Sequence, residues 1–162
     1  MTRCAARHLT IGEASEAIAG YVVALDITER RHEFGSSPAP WTWSDLPAKT
    51  LGKSFDTFCP TGPALVTLDE LADPIRLRKR CWINGELTFD HSTADMLRSA
   101  AELVALISQF MTIPTGVICL AGCGSTRDGS PIPFLKPGDD IVTEIEGIGR
   151  LTNRYVAEGP DR

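Results

Sequence analysis

One stretch of the sequence decides the fold: Gly52-Lys53-Ser54-Phe55-Asp56-Thr57-Phe58-Cys59-Pro60. Lys53 lies here among small and aromatic residues rather than in a run of charges. That setting favours a role in a binding site, with simple solvation as the alternative. Asp56, Phe58 and Cys59 are predicted to be structural. The stretch thus supplies one candidate functional residue and a landmark for the segments on either side.

A nearly unbroken apolar run, residues 21–27, precedes this stretch. Such a run predicts a strand over residues 18–28 that is buried on both faces. Asp26 interrupts it, and a carboxylate in a buried strand is costly unless it meets a cation or hydrogen-bond donors. We expect Asp26 to bind either a metal ion or Arg30 or a backbone donor. Because side chains alternate faces along a strand, Asp26, Thr28 and Arg30 would project together.

Short strands and tight turns account for most of the remaining chain. A strand is predicted over residues 64–67, and a hairpin over 77–89 turns at Asn84-Gly85, since both central residues of a type I′ turn need positive φ. Further strands are predicted over 117–120, 141–146 and 151–156, with turns at 136–139 and 147–149. Pro and Gly in residues 35–50 predict a loop. Its Trp41 and Trp43 fit either a lid or simple packing.

One helix has a clear start signal. Ser99-Ala100-Ala101-Glu102 is a capping box, after which one face of the helix is expected to hold Leu103, Leu106, Ile107 and Phe110. Strands outnumber helices, so the chain is predicted to be a mixed, mainly β domain with few helices.

The bulk composition excludes several classes of function. The chain has 162 residues, which fits one domain. Its net charge of −5 argues against nucleic-acid binding, and the basic run at residues 76–80 is interpreted as an exposed strand face. No run approaches the roughly 18 apolar residues of a membrane span. Five cysteines at irregular spacing, without a secretory leader, indicate reduced thiols and a cytoplasmic location.

Five segments occur in the order found in the fumarylacetoacetate hydrolase family, which the chain therefore resembles over residues 13–156. Within the family it is similar to the branch of the fumarylacetoacetate hydrolase domain-containing protein 2 group and the hydroxyheptadienedioate isomerases. The segments are Ile18-Ala19-Gly20-Tyr21 with Ala24-Leu25-Asp26, the quoted stretch with Gly62-Pro63, Trp82-Ile83-Asn84-Gly85-Glu86-Leu87, Ser108-Gln109-Phe110-Met111-Thr112, and Phe134-Leu135-Lys136-Pro137-Gly138-Asp139 with Glu144-Ile145-Glu146-Gly147-Ile148-Gly149.

The resemblance implies a β-roll-like catalytic domain that is usually a homodimer and uses Mg²⁺ or Mn²⁺. Family members hydrolyse, decarboxylate or tautomerise small 2-oxo and β-dicarbonyl acids. A hard divalent ion chelates such an acid through oxygen ligands. It then acts as a Lewis acid on the enolate that all three reactions share.

The resemblance also assigns roles to individual residues. Asp26 matches the aspartate that binds the metal, and Arg30 matches an arginine whose guanidinium suits a substrate carboxylate. Lys53 and Thr57 match the lysine and the hydroxyl at the metal and substrate. Glu33 stands where the family often has glutamine.

The sequence departs from the family upstream and late in the chain. The family has two further metal ligands in a Glu-x-Glu motif, whereas the acids before Asp26 are Glu13 and Glu16, whose spacing does not match. Residues 120–123 replace a segment with a substrate-binding threonine. We expect an N-terminally shortened catalytic domain over residues 13–157, with tails at 1–12 and 158–162 and disorder over Met1 to about Leu9 and over 158–162.

Two classes of function follow. The first is a metal-dependent hydrolase or isomerase of small 2-oxo acids, acting as a homodimer or completed by a full-length homologue. The alternative is a catalytically degenerate paralogue that serves as a structural or regulatory dimer partner. Ligand binding without chemistry is not separable from the second by sequence.

Overall fold

The computed structural model describes residues 1–29, 50–71, 74–122, 124, 126, 128–130, 133–157 and 159. The chain forms two compact units, one of Met1–Val23 with Gly62–Arg162 and the other of Ala24–Thr61. The prediction of a mixed, mainly β fold with few helices is confirmed. The described residues form these helices and strands, in chain order: α1 (Ile11–Ala17), β1 (Gly20–Ala24), β2 (Thr61–Thr67), β3 (Arg78–Ile83), β4 (Glu86–Ser92), a 3₁₀ turn (Thr93–Asp95), α2 (Ala100–Phe110), β5 (Asp140–Ile145) and β6 (Gly149–Arg154).

Four of the strands form an antiparallel sheet in the order β4-β3-β5-β6. The predicted hairpin is confirmed, with positive φ at Asn84 (51°) and Gly85 (84°). The Asn84 side chain donates to Asp139 Oδ1 and accepts from the Asp140 N–H, both at 2.9 Å. These bonds join the hairpin turn to the predicted turn at residues 136–139. Local turn chemistry therefore sets the sheet register on both sides of β3.

A second, two-stranded sheet pairs β1 with β2. The backbones approach closely, because a Cβ built on Gly20 would lie 2.2 Å from the Val66 carbonyl oxygen. Val23 on β1 is fully buried and packs in a small core with Leu71 and Ile148. The strand predicted over residues 18–28 is shorter than expected, since its ladder ends at Ala24.

The helix α2 begins at the predicted capping box, where Ser99 and Glu102 bond each other's backbone N–H groups. The predicted apolar face is correct at Ile107, which packs against the core, but wrong at Leu106 and Phe110. Val104, Ala105 and Ser108 are buried, whereas 43% of Leu106 and 78% of Phe110 is exposed. Small residues on α2 allow close packing against α1, whose Ala14 shares the same core.

The N-terminal residues are part of the fold, so the expectation of disorder over Met1 to about Leu9 is wrong. Thr2 is 2% exposed, and its N–H donates to the Val117 carbonyl at 3.1 Å. Ala6 forms a β-bridge with Ile113. The short helix α1 follows, capped by Thr10. It was not predicted because Gly and Ser interrupt its apolar pattern.

The buried strand predicted over residues 117–120 is also wrong. These residues belong to no strand ladder in the structure, and Ile118 and Leu120 are 38% and 44% exposed. Only the first of them, Val117, has its carbonyl engaged by Thr2. The apolar composition there reflects packing of single side chains rather than sheet formation.

Candidate functional site

The unit Ala24–Thr61 contains every residue predicted to act at the site. Its extended segment, residues 25–29, lies along residues 52–60. Three backbone hydrogen bonds from alternate residues hold it there. The N–H of Leu25 donates to the Pro60 carbonyl (3.1 Å), that of Ile27 to the Phe58 carbonyl (3.1 Å) and that of Glu29 to the Gly52 carbonyl (2.8 Å). In an extended chain the intervening side chains share one face. Asp26 and Thr28 therefore project together, as the alternation predicted.

Lys53 joins these two side chains. Its Nζ lies 2.5 Å from Asp26 Oδ2 and 3.1 Å from Thr28 Oγ1. The Thr28 hydroxyl in turn donates to the Asp26 carbonyl oxygen at 3.3 Å. An ammonium has three N–H donors and no acceptor, so these two partners leave one donor for a ligand. The lysine side chain is 35% exposed, which gives a ligand access to it.

The surroundings of Asp26 differ from the prediction. Its side chain is 41% exposed rather than buried, because the β1 ladder ends two residues earlier. Among the described residues its side-chain partner is the ammonium of Lys53; the alternative partner Arg30 lies outside them. Asp26 does have a cation as its partner, as expected. The reason given for expecting one, burial of the carboxylate, was wrong.

Thr57 lies in the turn after Lys53 with φ of 67°. A β-branched residue in this left-handed region is strained by about 1–2 kcal/mol, because its Cβ crowds the following carbonyl. Strain of this kind often occurs at functional sites. The neighbouring Phe55 and Phe58 rings, with centroids 5.1 Å apart, pack at the base of the turn. None of the hydrogen bonds found among the described residues joins Thr57 to Lys53 or Asp26.

Other predicted features lie outside the described residues. Arg30, predicted to bind a substrate carboxylate, is one of them, as are Glu33 and the loop residues 35–49. Their roles stay predictions.

The described residues do not fit a divalent ion. Among them, no three Asp, Glu, His or Cys side chains cluster closely enough to hold a metal. Asp26 offers one carboxylate, and Lys53 already neutralises it. Mg²⁺ and Mn²⁺ take several oxygen ligands. Glu13 serves as a helix cap, accepting from the Thr10 N–H at 2.8 Å, and these bonds to Thr10 lower the pKa of its carboxyl.

A family profile, related sequences and solved structures all match this chain over most of its length. The family profile described as fumarylacetoacetate (FAA) hydrolase C-terminal matches residues 2–156. The chain belongs to the fumarylacetoacetate hydrolase family. This confirms the resemblance found in the sequence, and the match includes most of the N-terminal residues that were expected to be a tail.

Individual relatives resemble the chain over most of its length. The bovine mitochondrial oxaloacetate tautomerase FAHD2B is 39% identical over 152 residues, which is 93% of this chain and 46% of the relative. The fumarylacetoacetate hydrolase from psychrophilic Exiguobacterium antarcticum is 33% identical with a TM-score of 0.80, covering 98% of this chain and 54% of that one. This chain therefore spans about half the length of these relatives.

A third comparison concerns a structure with a bound ion. The maleylpyruvate hydrolase from Sphingobium sp. SYK-6 in complex with Mn²⁺ and pyruvate has a TM-score of 0.78 at 24% identity, covering 96% of this chain and 51% of that one. At this identity the likeness concerns the fold. It shows a divalent metal in a protein of this fold.

No helix in the described part of the chain combines the length and apolar character needed to cross a bilayer. The bovine relative is named as mitochondrial, and the cytoplasmic location stays a prediction.

Sequence reasoning missed one part of the cluster. Thr28 was expected to share a face with Asp26, but it was not assigned a role in holding Lys53. The two-residue alternation was the signal that could have identified it, since it places both oxygens on the side from which Lys53 approaches.

Proposed function

We propose that the chain acts as a hydrolase or isomerase of small 2-oxo or β-dicarbonyl acids, and that keto–enol tautomerisation is the reaction which its described residues support best. One observation carries the proposal: the Lys53 ammonium is held at 2.5 Å by Asp26 and 3.1 Å by Thr28 while part of it faces solvent. The bovine relative, named as an oxaloacetate tautomerase, supports the choice of reaction.

The chemistry of Lys53 follows from charge. In keto–enol exchange a proton leaves C3 of the acid and another is added to the C2 oxygen, so negative charge develops on that oxygen. A fixed donor aimed at developing charge is worth about 10²–10³ in rate. The third N–H of Lys53 can donate to this oxygen. Asp26 and Thr28 together restrict the direction of the ammonium.

The substrate's carboxylate needs a second cation. Arg30 is the proposed partner, because a guanidinium binds a carboxylate with two parallel hydrogen bonds. We place Thr57 beside the substrate on the strength of its position four residues after Lys53 and its strained backbone.

A role for Mg²⁺ or Mn²⁺ is also part of the proposal. The maleylpyruvate hydrolase of the same fold is found in complex with Mn²⁺. The described residues supply too few oxygen ligands for it. A second copy or a full-length homologue could contribute the missing carboxylates, which is why a homodimer or heterodimer is proposed.

A second candidate function rests on a different observation. The Asp26 carboxylate is occupied by Lys53, and the described residues form no carboxylate cluster. Both facts favour a catalytically degenerate paralogue that acts as a structural or regulatory dimer partner.

An enzyme assay separates the two candidates. Enol–keto exchange of oxaloacetate would be followed with the 162-residue chain, alone and mixed with a full-length homologue, in Mg²⁺ and in EDTA. We expect the chain to raise the rate above a matched sample that lacks it, which is the buffer blank for the chain alone and the homologue alone for each mixture. No increase in any sample would reject the enzymatic proposal. Co-elution of the chain with the homologue on size exclusion would then support the dimer partner.

A further inference from the structure

Two segments of the candidate site run side by side, and their hydrogen bonds define a register. The N–H of Leu25 donates to the Pro60 carbonyl and the N–H of Ile27 donates to the Phe58 carbonyl, each at 3.1 Å. Because the acceptor moves back along the chain as the donor moves forward, the segments are antiparallel. The two residue pairs joined by these bonds correspond to the hydrogen-bonded pairs of an antiparallel ladder.

The residue pair between these bonds is Asp26 and Cys59. It occupies the non-hydrogen-bonded position of the ladder, where the two Cα atoms are about 4.5 Å apart and the side chains lie on the same face. That face also carries Thr28, as the bonds from Lys53 to Asp26 and Thr28 show. Cys59 therefore joins the cluster of Asp26, Thr28 and Lys53.

The return bonds of a regular ladder are replaced here for identifiable reasons. Pro60 has no N–H, and the N–H of Phe58 donates to the Phe55 carbonyl at 3.2 Å. The carbonyls on both sides of Cys59 still accept from residues 25 and 27. The backbone of Cys59 is thus held opposite Asp26, although neither segment is part of a strand.

Cys59 differs from the rest of the cluster in polarity. The carboxylate, the ammonium and the hydroxyl are strong hydrogen-bonding groups, whereas a thiol behaves as a small apolar group with a weak donor. Cys59 is exposed, so a ligand can reach its sulfur. Among the described residues of this face, the thiol is therefore the group that suits the uncharged carbon atoms of a ligand whose oxygen is bound by Lys53.

We propose that Cys59 contacts the C3 side of the bound acid and limits the size of the substituent at C3. The inference rests on the proposed function, because it takes the ligand to be a 2-oxo acid whose C2 oxygen binds Lys53. It narrows the substrate class to short, unbranched acids such as pyruvate and oxaloacetate. Acids that are branched at C3 are excluded by contact with the sulfur.

The test is the protection of Cys59 from iodoacetamide in the 162-residue chain, with alkylation of each cysteine measured by peptide mass spectrometry. Cys4 is also exposed but belongs to the other unit, so it is the control in the same sample. We expect pyruvate to slow alkylation of Cys59 about ten-fold at roughly nine times the half-protecting concentration, because the rate follows the unbound fraction. The Cys4 rate should not change. Lys53→Met should abolish the protection, since it removes the donor for the C2 oxygen.

A second ligand tests the size limit on the wild-type chain. 3-Methyl-2-oxobutanoate has the same carboxylate and C2 oxygen as pyruvate, but it carries two methyl groups at C3. Its half-protecting concentration should be at least about ten-fold higher than that of pyruvate, because one extra methylene in a tight pocket is worth about 10–200-fold in discrimination. This comparison needs neither a variant nor a catalytic rate.

Four outcomes would overturn the inference. Equal slowing at Cys4 and Cys59 would show a general effect of the acid, and protection that survives in a folded Lys53→Met chain would place the ligand elsewhere. Equal half-protecting concentrations of the two acids would show that the thiol sets no size limit. The fourth outcome is no protection by pyruvate. A measurable oxaloacetate exchange rate would then reject the Cys59 contact alone, whereas no exchange would reject the proposed function as well.

Discussion

The two compact units use charged side chains in different ways. On the four-stranded sheet, Arg78 and Arg80 pair with carboxylates on neighbouring strands, and Arg78 donates from two guanidinium nitrogens to Asp90. In the unit Ala24–Thr61, Lys53 has one carboxylate and one hydroxyl as partners and a third donor to spare. A cationic side chain whose N–H donors are all used within the protein stabilises the fold. A cationic side chain that is held in place with one donor left can bind a ligand.

The largest effect on stability is expected from breaking a sheet pair. Glu144→Gln should lower the free energy of unfolding by about 1–2 kcal/mol, because it leaves the partly buried Arg80 without its charged acceptor. Urea unfolding at constant m-value measures this loss. Asp26→Asn is the matched change at the exposed pair and should cost less than about 1 kcal/mol. Equal losses in the two variants would remove the distinction between the units.

A smaller effect of opposite sign is expected at the strained turn. Thr57→Gly should raise the free energy of unfolding by about 0.5–1 kcal/mol, since glycine adopts positive φ without the Cβ crowding and loses part of that gain to chain entropy. Thr152→Gly is the control, because Thr152 is exposed within β6. A glycine there should destabilise the sheet. Destabilisation by both variants would show that Thr57 is not strained.

The smallest effect concerns acid. Hydrogen bonds from the backbone and side chain of Ser99 hold the pKa of the Glu102 carboxyl below its ordinary value of 4.5. A lowered folded-state pKa contributes stability that is present above pH 4.5 and lost as the pH falls through the folded value. The Tm of the wild-type chain should therefore fall more steeply below pH 4.5 than the Tm of Glu102→Gln, a variant that keeps a capping side chain. Superimposable pH profiles of Tm would contradict this.

Features governed by local chemistry could be predicted from the sequence. The Asn84-Gly85 turn and the Ser99 capping box follow from which residues tolerate positive φ and which oxygens reach a helix N-terminus. The face of α2 could not be predicted in this way. Periodicity favoured the large side chains Leu106 and Phe110, whereas close approach to α1 selected Ala105 and Ser108 for burial.

The candidate site was predictable in part for a similar reason. The setting of Lys53 among small and aromatic residues indicated a site role, and alternation placed Asp26 with Thr28. The ion pair itself spans 27 residues of sequence, and only the folded backbone brings the two segments together. The expected burial of Asp26 failed because apolar composition does not reveal where a strand ladder ends.

The most direct test of the central claim is the rate of oxaloacetate enol–keto exchange in Lys53→Met against Lys136→Met, a change at an exposed lysine elsewhere. Removing the donor that faces the developing charge should lower the rate by about 100-fold, with little change in Tm, while Lys136→Met keeps the wild-type rate. A Lys53→Met variant that is folded and as fast as wild type, or a wild-type chain that adds nothing to the rate either alone or with the homologue, would contradict the account.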